Sequence, residues 1–188
     1  MLGPVWFVSS WTIAGAVRAG YDPVEDAISR LAEIDAPHRW LVSSGMVAFG
    51  ICALAFSSAW KDDHPGGAGA LAAAGLTSLG VAAFPCTEGC PGPGEFTDTA
   101  HGVVAGAHYF SFALAAVLSA WEAGKLGRVR YARWSRLAAG AGGVFLLLHV
   151  TGLGPNGLFQ RLGLTTLDAW LAGSALSALR PRARALGE

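Results

Sequence analysis

Apolar segments of membrane-spanning length alternate along this chain with short connectors that carry nearly all of its charge, proline and turn glycine. In hydrocarbon every backbone N–H and C=O must be satisfied internally, which leaves helices and closed barrels as the only spanning forms. A helix needs about 20 largely apolar residues to cross. Stretches near Gly3–Ala19, Trp40–Trp60, Ala68–Pro85, Ala100–Trp121, Leu137–Leu153 and Leu162–Leu179 approach that length. They predict an all-α polytopic transmembrane bundle of six membrane-spanning helices. Charged residues make up 14% of the chain and hydrophobic ones 53%, whereas soluble domains carry roughly a quarter of their residues as charges. The formal net charge is zero and no basic block stands out, so nucleic acid is not an expected partner. The lipid bilayer is.

Neither a repeat nor a long linker divides residues 1–188, so one domain is expected. The first span opens at Met1-Leu2-Gly3-Pro4 without a basic segment. It reads as a retained helix, although Ala14-Gly15-Ala16 is a pattern a signal peptidase accepts. Glycines inside the third span (Gly69, Gly75, Gly80) and the fifth (Gly140, Gly142, Gly143) are expected to let helices approach closely.

Basic residues are retained on the cytoplasmic side of short loops. Lys125, Arg128, Arg130, Arg133 and Arg136 crowd the fourth connector, and Arg180, Arg182 and Arg184 follow the sixth span. This predicts a cell-membrane protein with both termini and the Lys61–Gly67 connector in the cytoplasm. Gly20–Arg39, Cys86–Thr99 and Gly154–Arg161 then lie outside. The first of these is acidic, and the second holds Cys86-Thr87-Glu88-Gly89-Cys90. A structural Cys86–Cys90 disulfide is expected, ahead of a part-metal site or a redox pair, since no second Cys pair exists to complete a zinc cage. Cys52, in mid-span, reads as a small packing residue.

Ionisable residues within spans are costly and mark functional sites by default. His101 and His108 are seven apart on the fourth span and share a face, with Asp98 one turn before. His149 lies near the outer end of the fifth span, and Asp168 about two turns into the sixth, beyond Gln160 and Arg161. All fall in the predicted outer half, which points to a polar pocket open to the outside. His101, His108 and His149 are suitable ligands for zinc, and histidines on two helices could instead hold haem. No His-Glu-x-x-His or Gly-x-Ser-x-Gly motif accompanies them. The plainer reading is that these groups hydrogen-bond one another and nearby hydroxyls to fix helix packing.

The order Tyr21-Asp22-Pro23, Ile28-Ser29-Arg30-Leu31, Phe84-Pro85-Cys86, His101-Gly102, His108 and Gly157-Leu158-Phe159-Gln160-Arg161 before Trp170 resembles the bacterial and archaeal membrane family catalogued as domain of unknown function 998. The resemblance covers nearly the whole chain. It implies six spans and a distant similarity to eukaryotic six-span proteins linked to lipid handling and autophagy, and it brings no activity with it. The positions that carry it, including Tyr21, Asp22, Gln160 and Arg161, all fall on the predicted outer side.

The first outer connector has a helical pattern of its own. Asp22 suits an N-cap, Pro23 the first helical position and Glu25 a capping partner, with Ala27, Ile28, Leu31 and Ile34 forming an apolar stripe. A short interfacial helix across the outer mouth is expected, with Trp40 at the lipid boundary. The candidate pocket therefore comprises Tyr21, Asp22, Asp98, His101, His108, His149, Gln160, Arg161 and Asp168. Three functions fit it: binding of a lipid-like or small-molecule ligand, a metal-dependent or haem-binding enzyme, and an accessory subunit with a membrane-protein partner.

Overall fold

The computed structural model describes residues 2–92 and 94–185, with the side chains of the last helix described as far as Ala178. Six α-helices follow one another: α1 (Leu2–Val17), α2 (Arg39–Trp60), α3 (Pro65–Ala83), α4 (Phe96–Lys125), α5 (Val129–Thr151) and α6 (Asn156–Ala185). No strand occurs among the described residues. Each expected span maps onto one helix. The side chains of Arg180, Arg182 and Arg184 lie outside those described.

Three helices, α2, α3 and α4, are long and apolar enough to cross a membrane. The first helix is apolar but has 16 residues, about 24 Å at 1.5 Å per residue. Arginines punctuate the first half of α5 (Arg130, Arg133, Arg136) and both ends of α6, which dilutes their hydropathy.

The ends follow local chemistry. The fixed φ of Pro65 starts α3 in the first-turn position. Gly152 ends α5 in the left-handed region at φ 67°, its N–H returning to the carbonyls of Leu148 and His149. Successive helices pack on one another, as short connectors require, and α6 returns to α1 along a sparser seam to close the ring. One rim carries the long acidic connector and the α3–α4 loop. The other carries Lys61, Lys125, Arg128 and Arg130. We refer to them as the acidic and basic rims.

Glycines set the closest approaches, as expected for helices in lipid. A Cβ on Gly50 would lie 2.8 Å from the Gly75 carbonyl, and one on Gly75 2.9 Å from that of Gly50. Between α5 and α6 the arrangement repeats, with Gly142 against Leu167 Cγ (2.8 Å) and Gly163 against Leu146 Cγ (2.6 Å). Gly80 meets Val104 at 3.2 Å, whereas Gly69, Gly140 and Gly143 face open space. Of the six glycines expected to pack, Gly75, Gly80 and Gly142 do so.

Across the middle of the ring runs an aromatic layer. Phe7 meets Phe49 (centroids 6.2 Å), Phe49 meets Phe112 (5.1 Å), Phe112 meets Trp170 (6.3 Å) and Trp170 meets Trp60 (6.0 Å). The Trp170 indole N–H finds a partner in Ser135 Oγ at 2.9 Å, as a buried tryptophan requires.

Candidate functional site

The acidic connector does not lie flat as an interfacial helix. It forms turns and one 3-10 turn, Ile28–Leu31, whose Ile28 and Leu31 are each only 1% exposed. Asp22 explains the difference: its carboxylate accepts the Val24 N–H at 2.8 Å, while Asp26 accepts the Asp22 N–H at 2.9 Å. These Asx-type turns compete with helix propagation. The apolar residues then turn inward and plug the mouth of the ring. Asp22 itself is exposed and shapes the turn.

Arg161 fastens this plug. Its Nη1 donates to the carbonyls of Pro23 (2.7 Å), Asp26 (2.9 Å) and Gly157 (3.0 Å), and its Nη2 to Tyr21 Oη. Tyr21 in turn donates to the Asp26 and Ala27 carbonyls. Burial is the largest influence on the Tyr21 hydroxyl and raises its pKa, against the lowering effect of Arg161. A second fastener went unread in the sequence. Arg18 donates to the buried Glu33 at 2.5 Å and to the Arg30 carbonyl, and Glu33 also accepts the Gly89 N–H at 2.8 Å. The loop of Gly89 is closed by a Cys86–Cys90 disulfide with Cα atoms 5.1 Å apart. Asp98 completes it, accepting the N–H and hydroxyl of Thr87 at 2.8 Å each. Asp98 thus holds the α3–α4 loop.

Beneath the plug, His101, His108 and Gln160 share a cavity with Tyr109, Ser29 and Ser78. Its volume is about 30 Å³, room for one or two waters. His101 Nδ1 donates to the Phe84 carbonyl at 2.8 Å and His108 Nδ1 to that of Ala74 at 2.9 Å. Both imidazoles therefore pin α4 to α3 and keep the hydrogen on Nδ1, leaving Nε2 as an acceptor. Beside them Gln160 Oε1 accepts the Ile28 N–H at 2.5 Å, and its Nε2 donates to Tyr109 Oη at 2.6 Å. Tyr109 faces His149 Nε2 at 3.5 Å, and His149 Nδ1 donates to Asn156.

Among the described residues no three His, Cys, Asp or Glu side chains converge to hold an ion. His149 is turned away towards Asn156. A cavity of this size also does not admit a lipid. Asp168 lies deeper, about 18 Å from the start of α6 at 1.5 Å per residue, outside the residues lining this cavity.

The ligand-sized space lies at the opposite end. A groove of about 1090 Å³ runs between α1–α2 and α5–α6 and opens at the basic rim. Pro4, Cys52, Ala55, Phe56, Trp60, Leu171 and Ala175 form its body, while Asp62, Asp63, His64, Arg128, Arg130 and Tyr131 surround its mouth. Arg128 pairs with Asp63 at 3.0 Å. Behind the mouth, Glu122 accepts the N–H groups of Gly66 (2.7 Å) and Gly67 (3.1 Å), placing a carboxylate at the positive end of α3. His64 packs against Trp60 with centroids 4.6 Å apart and the rings tilted by 43°, and it lies 3.7 Å from Glu122. Burial lowers the His64 pKa more than Glu122 raises it.

A family model described as Protein of unknown function (DUF998) matches residues 1–177. The chain belongs to this family. No curated protein and no solved structure matches it. The DUF998 match and the apolar helices together identify a membrane-embedded protein whose family has no assigned role. Within this DUF998 chain the positions that carried the resemblance divide by task. Tyr21 and Arg161 hold the plug, His101, His108 and Gln160 line the small cavity, and Asp22 shapes a turn. Tyr109 was passed over as one more aromatic in an apolar span, although it adjoins His108. The groove residues were legible only as topogenic charge, since Lys61 to His64 and Arg128 to Arg130 meet only once the chain is folded.

Proposed function

We propose that this DUF998 protein crosses the bilayer six times as one unit and holds a single lipid-like molecule in the basic-rim groove, facing the cytoplasm. One observation carries the reading: the groove joins an apolar body to an ionic mouth at a volume of about 1090 Å³. Small-molecule pockets are commonly about 300–1,000 Å³ with apolar walls and few polar anchors. An acyl chain suits Phe56, Trp60, Leu171 and Ala175. A headgroup phosphate suits Arg130, which has no ion-pair partner among the described residues, and a headgroup amine suits Asp62 or Asp63. Sidedness follows from the basic residues at that rim. This replaces the outward-facing site expected from the histidines with one at the other end of the same bundle.

The test is native mass spectrometry and lipid extraction on protein purified in mild detergent. Wild type is expected to carry about one lipid per chain. Ala55→Trp, which fills the groove from an exposed wall position, is expected to lose it while remaining folded, and Arg130→Glu to select against anionic headgroups. Equal lipid retention in Ala55→Trp and wild type would refute the site.

A further inference from the structure

Asp168 is 4% exposed, and neither of its carboxyl oxygens has a hydrogen-bond partner. Its position on α6 gives that isolation a meaning. Leu164, one turn before it, lines the water-sized cavity, and Leu171, one turn after it, lines the groove. Spacings of four and three place all three on one helix face. Asp168 therefore stands between two cavities that approach the middle of the bundle from opposite rims. His108, on α4, is as far from the start of its helix as Asp168 is from the start of α6, and both helices start at the acidic rim.

Little else at this depth could balance a charge. Helices α1 and α3 contain no Asp, Glu, Lys, Arg or His, and α2 contains only Arg39, at its acidic-rim end. On α5, His149 is engaged by Asn156 at the acidic rim, while Arg133 and Arg136 are exposed on the bundle's outer surface. On α4, Glu122 lies near the basic rim and is bonded to Gly66 and Gly67. On α6 itself, Arg161 is committed to the plug. His108 is the nearest ionisable group by depth.

An unpaired carboxylate in hydrocarbon is strongly unfavourable, and a proton removes the charge with no need for space. We infer that Asp168 is a proton-exchange site at the centre of the bundle, reached by water through the cavity of His101, His108 and Gln160. In the step itself the Asp168 O–H bond breaks and the carboxylate keeps the electron pair. The proton passes to cavity water and then to His108 Nε2, whose lone pair is free because Nδ1 carries the hydrogen given to Ala74. A carboxyl that exchanges with one rim and lies one turn from a groove on the other is the part a proton-coupled membrane process requires. The inference does not depend on what occupies the groove.

Infrared spectra of the full chain in nanodiscs, recorded in H₂O and D₂O at neutral pH, test it. Wild type is expected to show a carboxylic-acid C=O stretch that moves to lower frequency in D₂O within minutes and is missing from Asp168→Asn. His108→Gln, which keeps an amide for the Ala74 carbonyl, is expected to slow that exchange several-fold. Should Asp168→Asn fail to fold, Asp168→Glu must retain an exchanging acid band. No acid band in wild type, a band that D₂O does not shift, or unchanged exchange in His108→Gln would each overturn the proposal.

Discussion

Arg161 is the residue whose removal has the most calculable consequence. Of its acceptors, Pro23 O is exposed and finds water, and Gly157 O, one turn earlier on α6, has a second suitor in the helix backbone. The bonds to the Asp26 carbonyl and to Tyr21 Oη are part-buried and have no replacement. Charged hydrogen bonds contribute about 1.5–3 kcal/mol each. Discounting for the partial exposure of the side chain, Arg161→Leu should cost about 2–3 kcal/mol. For a chain of this size that is a fall in Tm of about 5–10 °C, measurable from the tryptophan fluorescence of detergent-solubilised protein. Arg161→Lys should recover less than half, because one ammonium cannot span both acceptors in the planar fork that guanidinium provides. Tyr21→Phe should be non-additive with Arg161→Leu by about 1 kcal/mol in a double-mutant cycle. Strict additivity, or an Arg161→Lys variant as stable as wild type, would show that the plug is held by its apolar residues alone.

Three further outcomes are expected. Because folding lowers the His64 pKa below its ordinary 6.5, the unfolded chain binds the proton more readily. Stability should therefore be full above pH 6.5 and decline as pH falls below it, and His64→Gln should flatten that slope in a denaturation series. Gly163→Val should cost about 1–3 kcal/mol by overpacking against Leu146, whereas Gly143→Ala, facing open space, should be neutral or stabilising in the same thermal assay. Reducing the disulfide or introducing Cys86→Ser should cost no more than about 2 kcal/mol, the low end of the usual range, since the loop it closes spans a sequence separation of four. Reduction should speed proteolysis at the α3–α4 loop before it affects the bundle.

Helix number and order could be read from the chain because the signal for a span is local: a run of apolar residues between connectors is complete in one dimension. The disulfide was legible for the same reason, its partners being four residues apart. The polar residues stand out in the sequence because ionisable groups are rare in apolar runs, but their partners do not. Asp98 and Thr87, Arg18 and Glu33, and Arg161 and Tyr21 are pairings between segments, and sequence alone ranks no such pairing above another. The acidic connector failed for a different reason. Its capping pattern suits a helix start, but the Asp22 and Asp26 side chains satisfy the backbone locally, and burial of Ile28 and Leu31 favours an inward turn. The groove was invisible because a void has no residues of its own.

The ring is stitched unevenly. At the acidic rim the plug ties α1 to α6 through Tyr21, Arg161 and the Arg161–Trp11 cation–π contact at 5.3 Å; at the basic rim Pro4 of α1 and Ala175 and Ala178 of α6 are wall residues of the same groove. In the six-span arrangement proposed above, a ring sewn at one hem and parted at the other would communicate sideways with the bilayer. An occupant could slip through that slit without entering water, and its residence time would then be governed by how readily it returns to the surrounding leaflet, not by its aqueous solubility.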